Sequence, residues 1–259
     1  MFLVRPPIII RKIFPGFVWK IPSDQKRIYI TFDDGPFPET TPWILDTLQT
    51  HKAKATFFCI GDNVRKYPEI YAKILEGGHS VGNHTFNHLN GWKTKKMRYL
   101  RNFIRAEKYI KSDLFRPPYG KISFFQRKAL GKKYKIIMWD VLSLDYDERV
   151  SEEKCLKIVL EKTRNGSVVV FHDSLKAQRN LQYVLPLALE KLSSEGYIFE
   201  PIYSSDIKKK VILKTRYSDK IYFKWQKKPI IHTPIVKIKL RNLIFFFSII
   251  QSYLKHFLL

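Results

Sequence analysis

The sequence predicts an α/β protein assembled from parallel βαβ units. Three observations carry that reading. Seven short runs rich in β-branched and aromatic residues recur between Ile28 and Ile202. Helix-like stretches separate most of them, and capping or turn residues mark the joins. The first run is Ile28–Phe32, after which Thr41-Pro42 reads as the N-cap and first residue of a helix. Ala55–Ile60 follows, and Glu76-Gly77-Gly78 stops a helix just before the run His79–Val81. Leu114–Arg116 and Lys135–Trp139 come next. Ser151 with Glu152 and Glu153 opens another helix, ahead of Ser167–Phe171. Glu195-Gly196 closes the last helix before Tyr197–Ile202. Such units form either a doubly wound sheet or a barrel. The glycine fingerprint of a dinucleotide site is missing after the first run, so that version of the sheet has no support.

Composition bounds what this fold does. The chain has 259 residues, 45% hydrophobic and 27% charged, enough apolar material for a large core. Its two cysteines, Cys59 and Cys155, cannot build a zinc cluster; both sit in apolar runs and read as buried thiols, which fits a reducing compartment. The net charge is +24, and it is uneven. Residues 207–259 carry 13 basic side chains and a single acid, Asp219. An anionic partner or a solvated basic surface both account for such an excess.

Three segments follow: an N-terminal extension (1–19), a catalytic domain (20–206) and a basic, apolar tail (207–259). In the tail, Val211–Tyr217 and Ile221–Trp225 suit a hairpin. The stretch Leu240–Leu259 has 13 apolar residues of 20, a marginal span and a better interfacial helix. The tail is therefore expected either at an anionic membrane surface or disordered. The start of the chain breaks Ile8-Ile9-Ile10 with Arg11 and Lys12 and offers no signal-peptide pattern. A cytoplasmic or peripheral membrane location is the expectation.

The chemistry collects where candidate strands finish. Five segments qualify: Thr31–Pro36, Gly82–His88, Arg116–Gly120, Trp139–Tyr146 and Phe171–Ser174. In a parallel barrel the carboxyl ends of all strands open on one face, so groups distant in sequence converge there. Alone, Asp-Asp-Gly-Pro is a turn, Arg-Pro-Pro-Tyr-Gly a rigid loop, and Asp173 a helix cap. His84 and His88, four apart, suit one face of a helical turn, either as surface residues or as ligands. Together the segments compose a metal-assisted hydrolase. Asp34, His84 and His88 supply one carboxylate and two imidazoles, which leave an open position on a zinc-like ion. Asp33 is then free to act as base, Arg116 to hold it ionised, and His172 to act as general acid.

Taken in order, the five segments resemble the motifs of the polysaccharide deacetylase (NodB-like) family, over about residues 20–205, and most of all its compact bacterial branch. The resemblance implies a distorted (β/α) barrel of about seven strands that hydrolyses N-acetyl groups on the amino sugars of a glycan. It implies one divalent ion, zinc before cobalt, nickel or iron, on Asp34, His84 and His88. It makes Asp33 the base and His172 the acid, with Arg116 orienting the base. Asp145 tunes the catalytic histidine, and the Tyr119 amide faces the oxyanion. Two departures bear on the substrate. Leu142 and Tyr146 stand where the fourth motif has an acid and a tryptophan, and Val169 and Phe171 stand where leucines line the acyl pocket. A sugar deformylase or an O-acetyl esterase on the same scaffold is the nearer rival. A non-catalytic, basic glycan- or nucleic-acid-binding protein is the more distant one. A binding module has no use for both a base and an acid, so no nucleic-acid partner is expected.

Overall fold

The computed structural model describes residues 4–207; the expected tail hairpin and interfacial helix lie outside the described residues. Nine strands form a single sheet in which every pair of strands runs parallel. In chain order the elements are α1 (Ile8–Ile13), β1 (Phe17–Val18), β2 (Arg27–Asp34), α2 (Thr41–Thr50), β3 (Ala55–Cys59), α3 (Gly61–Lys66), α4 (Pro68–Glu76) and β4 (Ser80–Asn83). Then come α5 (Lys96–Glu107), β5 (Leu114–Phe115), α6 (Phe124–Leu130), β6 (Lys135–Ile137), β7 (Val141–Leu142), α7 (Glu152–Lys162), β8 (Val168–His172), α8 (Gln178–Ser194) and β9 (Ile198–Phe199). The order across the sheet is β1-β6-β5-β4-β3-β2-β8-β7, with β9 also paired to β2.

Strand β2 is central, and its six middle residues are all buried, as expected of a parallel strand covered on both faces. Its side chains alternate between two cores. Ile28, Ile30 and Phe32 pack outward with Phe57, Val169, Phe171 and helix residues such as Leu48 and Leu185. Tyr29 belongs to a second cluster with Phe58, Leu114, Ile137 and Val168. Thr31 and Asp33 share the parity of Tyr29, so the polar end of that face rises from the inner cluster.

One stretch of chain joins the two ends of the sheet. Residues 135–137 pair with β5 and β1, whereas 141–142 pair with β8. At the crossing, the Met138 N–H donates to Val18 O (2.7 Å) and the Asp140 N–H to Val168 O (2.9 Å). Below it, Lys20 makes an antiparallel bridge to Ser167, and the Ile21 N–H donates to Gly166 O (2.9 Å). The distorted barrel is thus closed by a switch of partners.

All seven expected runs contain a strand, and two short strands, β1 and β7, add to them. The polar segment Trp139–Tyr146 divides: Asp145 stands at the carboxyl end, while Asp140 is level with the first residue of β8, at the amino end. The sheet starts at Phe17, inside the segment read from sequence as an extension, and residues 4–207 form one compact unit. Cys59 and Cys155 are buried free thiols.

Candidate active site

Four strand ends supply the site. The last two residues of β2 are Asp33 and Asp34; the chain leaving β4 carries His84 and His88; Arg116 follows β5; His172 ends β8. The backbone is bent to bring them in. Among the described residues, six non-glycine positions have positive φ; four lie in these loops (Asp34, Thr85, His88 and Tyr119), and a fifth, Leu144, directly precedes Asp145 after β7. Each costs on the order of 1–2 kcal/mol against a relaxed backbone, and such strain concentrates at functional sites. A Cβ on Gly35 would run into the Asp173 carboxylate, so only glycine fits beneath Asp34.

His84 and His88 do not lie on a helical turn, contrary to the expectation from their spacing. The segment after β4 is irregular, with Thr85 and His88 left-handed. The loop nevertheless turns both rings toward one carboxylate. Asp34 Oδ1 lies 3.2 Å from His88 Nε2 and 3.7 Å from His84 Nε2. That oxygen is buried and has no hydrogen-bond partner. His84 Nδ1 sits 2.8 Å from the Arg116 carbonyl, to which it donates, leaving Nε2 as the lone-pair nitrogen. Burial, with the charge of His88 next to it, holds His84 well below its ordinary pKa, so the ring is a neutral ligand at pH 7. An orphaned carboxylate oxygen facing two neutral imidazoles, with one donor atom from each residue within 4.8 Å of the others, fits a divalent ion of the zinc type.

Asp33 points to the other side of β2 from Asp34 and has its own partner. Arg116 Nη1 donates to Asp33 Oδ1 (2.6 Å) and to Thr31 Oγ1 (2.8 Å). The guanidinium is fully buried, bonded also to the Ile137 and Met138 carbonyls (3.3 and 3.1 Å) and lying over the Phe58 ring at 4.1 Å. A guanidinium so completely surrounded fixes the direction of its carboxylate. Thr31 is the residue the sequence did not single out here. Its hydroxyl donates to Val169 O (2.8 Å) and accepts from Arg116.

His172 is held by Asp145 at two points: Nδ1 to Oδ1 (2.8 Å) and backbone N–H to Oδ2 (2.7 Å). Burial pulls the imidazole pKa down. The charge and hydrogen bond of Asp145, then the charges of Asp34 and Asp33, outweigh it and push the pKa up to about 9. His172 is therefore protonated at neutral pH, the state an acid needs. Asn180 Nδ2 ties the Asp145 carbonyl to α8 (3.0 Å).

The remaining candidates fall on either side of the site. Tyr119 is 55% exposed, its ring centroid 4.5 Å from that of His88, on a left-handed backbone. Tyr146 packs edge-on against His172, centroids 4.7 Å apart. Phe171 is a correction. It is fully buried and stacked on Phe32 in the outer core, away from the site. Side chains alternate along a strand, so Val170 and Val168, not Phe171, share the His172 side of β8. Asp173 is a second correction. It caps no helix, because α8 starts five residues later. Its buried carboxylate instead accepts from the Thr40 and Thr41 hydroxyls at the start of α2, beneath the Asp33-Asp34 turn.

A triad that could hold a metal, an aspartate clamped by arginine and a histidine clamped by aspartate stand together at the mouth of a parallel barrel, an arrangement suited to metal-assisted hydrolysis. Comparison with known proteins agrees. The sequence profile described as polysaccharide deacetylase matches residues 20–134. A peptidoglycan-N-acetylglucosamine deacetylase of Bacillus cereus is 35% identical over 71% of this chain and 90% of its own length. A chitooligosaccharide deacetylase of Azorhizobium caulinodans is 30% identical over 72% and 98%. The crystal structure of the peptidoglycan N-acetylglucosamine deacetylase Bc1960 superposes with a TM-score of 0.70 at 30% identity, covering 76% of this chain and 95% of that one. The chain belongs to the polysaccharide deacetylase family and is a hydrolase of carbon–nitrogen bonds in carbohydrates.

Proposed function

We propose that this enzyme removes the acetyl group from N-acetylglucosamine-type units of a cell-wall glycan, with zinc held by Asp34, His84 and His88. The observation that carries the reading is two clamped groups beside one candidate metal triad: Asp33 on its arginine and His172 on its aspartate. The names of the relatives, which act on peptidoglycan or chitooligosaccharides, supply the substrate class.

When bound, the divalent ion supplies Lewis acidity toward the acetyl carbonyl and lowers the pKa of water. Asp33 takes the proton of the attacking water. Arg116, bonded to Asp33 Oδ1 at 2.6 Å, supplies the counter-charge beside this carboxylate and holds it aimed at the cleft. The Tyr119 N–H, carried on its strained turn, is assigned to the developing oxyanion. An amine anion is a very poor leaving group, so His172 must deliver its proton to nitrogen as the C–N bond breaks. Asp145 steadies the imidazolium before that transfer and orients the ring through it.

Purified protein loaded with zinc is assayed for acetate release on peptidoglycan fragments, chitooligosaccharides and acetylated xylan. The amino-sugar substrates are expected to turn over faster than xylan by about tenfold or more. In His172→Ala, the loss on an N-acetyl substrate should exceed the loss on an activated O-acetyl ester, whose alkoxide or phenoxide leaves with little protonation. Xylan as the preferred substrate, together with equal losses in His172→Ala, would replace this reading with an O-acetyl esterase.

A further inference from the structure

The amino end of the barrel, opposite the mouth, carries an arrangement that catalysis does not use. A cavity of about 350 Å³ there is lined by Arg5, Arg11, Lys20 and Arg164, with Asp140 the one acidic residue in its wall. Asp140 is nearly buried and already engaged by Arg11 (2.6 Å), Arg5 (3.1 Å) and the Ser167 hydroxyl (2.5 Å). The cavity therefore keeps an excess of positive charge. Beside it, α1 turns apolar side chains outward: Ile8 is 70%, Ile9 48% and Ile13 40% exposed, with Lys12 exposed among them. Among the described residues, these three isoleucines on a six-residue helix stay solvent-facing, and α1 has no buried residue.

The pad is nevertheless fixed. The Leu142 N–H donates to Val4 O (2.9 Å), Arg5 donates to the Lys162 carbonyl, and Arg11 Nε donates to Pro6 O (2.9 Å). Apolar side chains set beside a cationic hollow match the two layers of an anionic bilayer surface: acyl chains for the isoleucines and phosphate headgroups for the arginines and lysines. We propose that this floor of the barrel, formed by Ile8, Ile9, Ile13, Lys20 and Arg164 around the Asp140 cavity, docks on a membrane of anionic phospholipids. Ser167 stands at the floor and His172 at the mouth of the same strand, so the two ends are roughly 16 Å apart and face opposite ways. A docked enzyme turns its active site away from the lipid.

The test uses the full-length chain, so the tail is present in every sample. It is floated with vesicles of phosphatidylglycerol and phosphatidylcholine in equal parts, and with phosphatidylcholine alone. The wild type is expected to bind the anionic vesicles preferentially. The variant Ile8→Ser/Ile9→Ser/Lys20→Gln/Arg164→Gln should bind about tenfold less or weaker still, with thermal unfolding unchanged because all four side chains are peripheral. A second measurement places an environment-sensitive dye on Ile9→Cys or on Leu175→Cys, an exposed position at the mouth. The Ile9 dye should shift to the blue on anionic vesicles and the Leu175 dye should not. Equal flotation of variant and wild type overturns the proposal, as does a shift at Leu175 in place of Ile9. Binding of inorganic phosphate to a protein that stays off the vesicles also overturns it, by making the cavity a site for a free anion.

Discussion

The two ends of the barrel each hold a carboxylate gripped by arginine, and they use the grip to opposite effect. At the mouth, one buried guanidinium, Arg116, meets a surplus of acid: Asp33, Asp34, Asp145 and Asp173. At the floor, one buried acid, Asp140, meets a surplus of base: Arg5, Arg11, Lys20 and Arg164. The spare acids at the mouth are what a cation and a proton transfer require. The spare bases at the floor have no chemistry to perform and suit an anion. A salt bridge by itself says little about function; the sign of the excess charge gathered around it says more.

The largest effect is expected where that acid surplus is broken. His88→Ala removes one of the three proposed ligands and should empty or strongly weaken the metal site, with turnover falling by more than the roughly 10–100-fold that loss of an outer-shell partner costs. Metal content by elemental analysis, alongside acetate release, checks it. A fully loaded and active His88→Ala would dissolve the triad. Asp33→Asn comes next. It should keep the metal, since Asp33 faces away from Asp34, yet lose about 10²–10⁴-fold in rate with its base. It also strands Arg116 without its counter-ion in a fully buried setting, which should cost about 3 kcal/mol or more in unfolding free energy. If that variant lost metal while Asp34→Asn retained it, the two aspartates would exchange roles.

Smaller, but specific to proton transfer, is the effect of Asp145→Asn. Burial alone would hold His172 below its ordinary value, and Asp145 is the largest of the influences raising it to about 9. Catalysis needs the imidazolium, so activity should fall as pH rises through that value. A cation on Asp34 cancels that carboxylate's pull and sets the alkaline limb of the loaded enzyme at or below about 9. In Asp145→Asn the limb should move toward acid, and most activity at pH 8 should be recoverable at lower pH. The sign for stability agrees. A raised histidine stabilises the fold fully below its unfolded value of 6.5, and that contribution is lost as pH climbs through about 9. A pH–rate profile identical to wild type would reduce Asp145 to a structural prop.

These contrasts also explain what was legible in the sequence. The central strands announced themselves because β2, β3 and β8 are apolar runs of five to eight residues, and β2 and β8 end in candidate site residues. Strands β1 and β7 have two residues each, too short for any periodicity, and owe their pairing to the crossing at 138–140. Candidate site residues were recognisable as polar groups following apolar runs, and their parity along β2 separates the base from the ligand. Phe171 was misplaced for the same kind of reason: adjacent positions on a strand face opposite ways, and the odd one belongs to the helices. His84 and His88 meet at Asp34 through left-handed backbone that spacing cannot foretell. The floor was invisible because its carboxylate and its cations come from Arg5, Arg11, Asp140 and Arg164, which no local motif connects.

The smallest effect on catalysis, and the sharpest test of the comparison, belongs to Asp140→Asn. The connection 138–140 serves both ends: the Met138 carbonyl receives Arg116 Nη2 (3.1 Å), and two residues on, Asp140 receives Arg5 and Arg11. If the floor only anchors the chain, losing the Asp140 charge should cost stability and leave the base untouched. Arg5 and Arg11 keep partial access to water, so the stranded charges are cheaper than Arg116 would be: about 2 kcal/mol, or a fall in Tm of about 4–8 °C for a domain of this size. The kcat on a soluble substrate should stay within about twofold below that Tm. A tenfold loss of kcat in a folded Asp140→Asn would mean that the floor holds Arg116 in place through Met138, and that the two ends of the barrel act as one device.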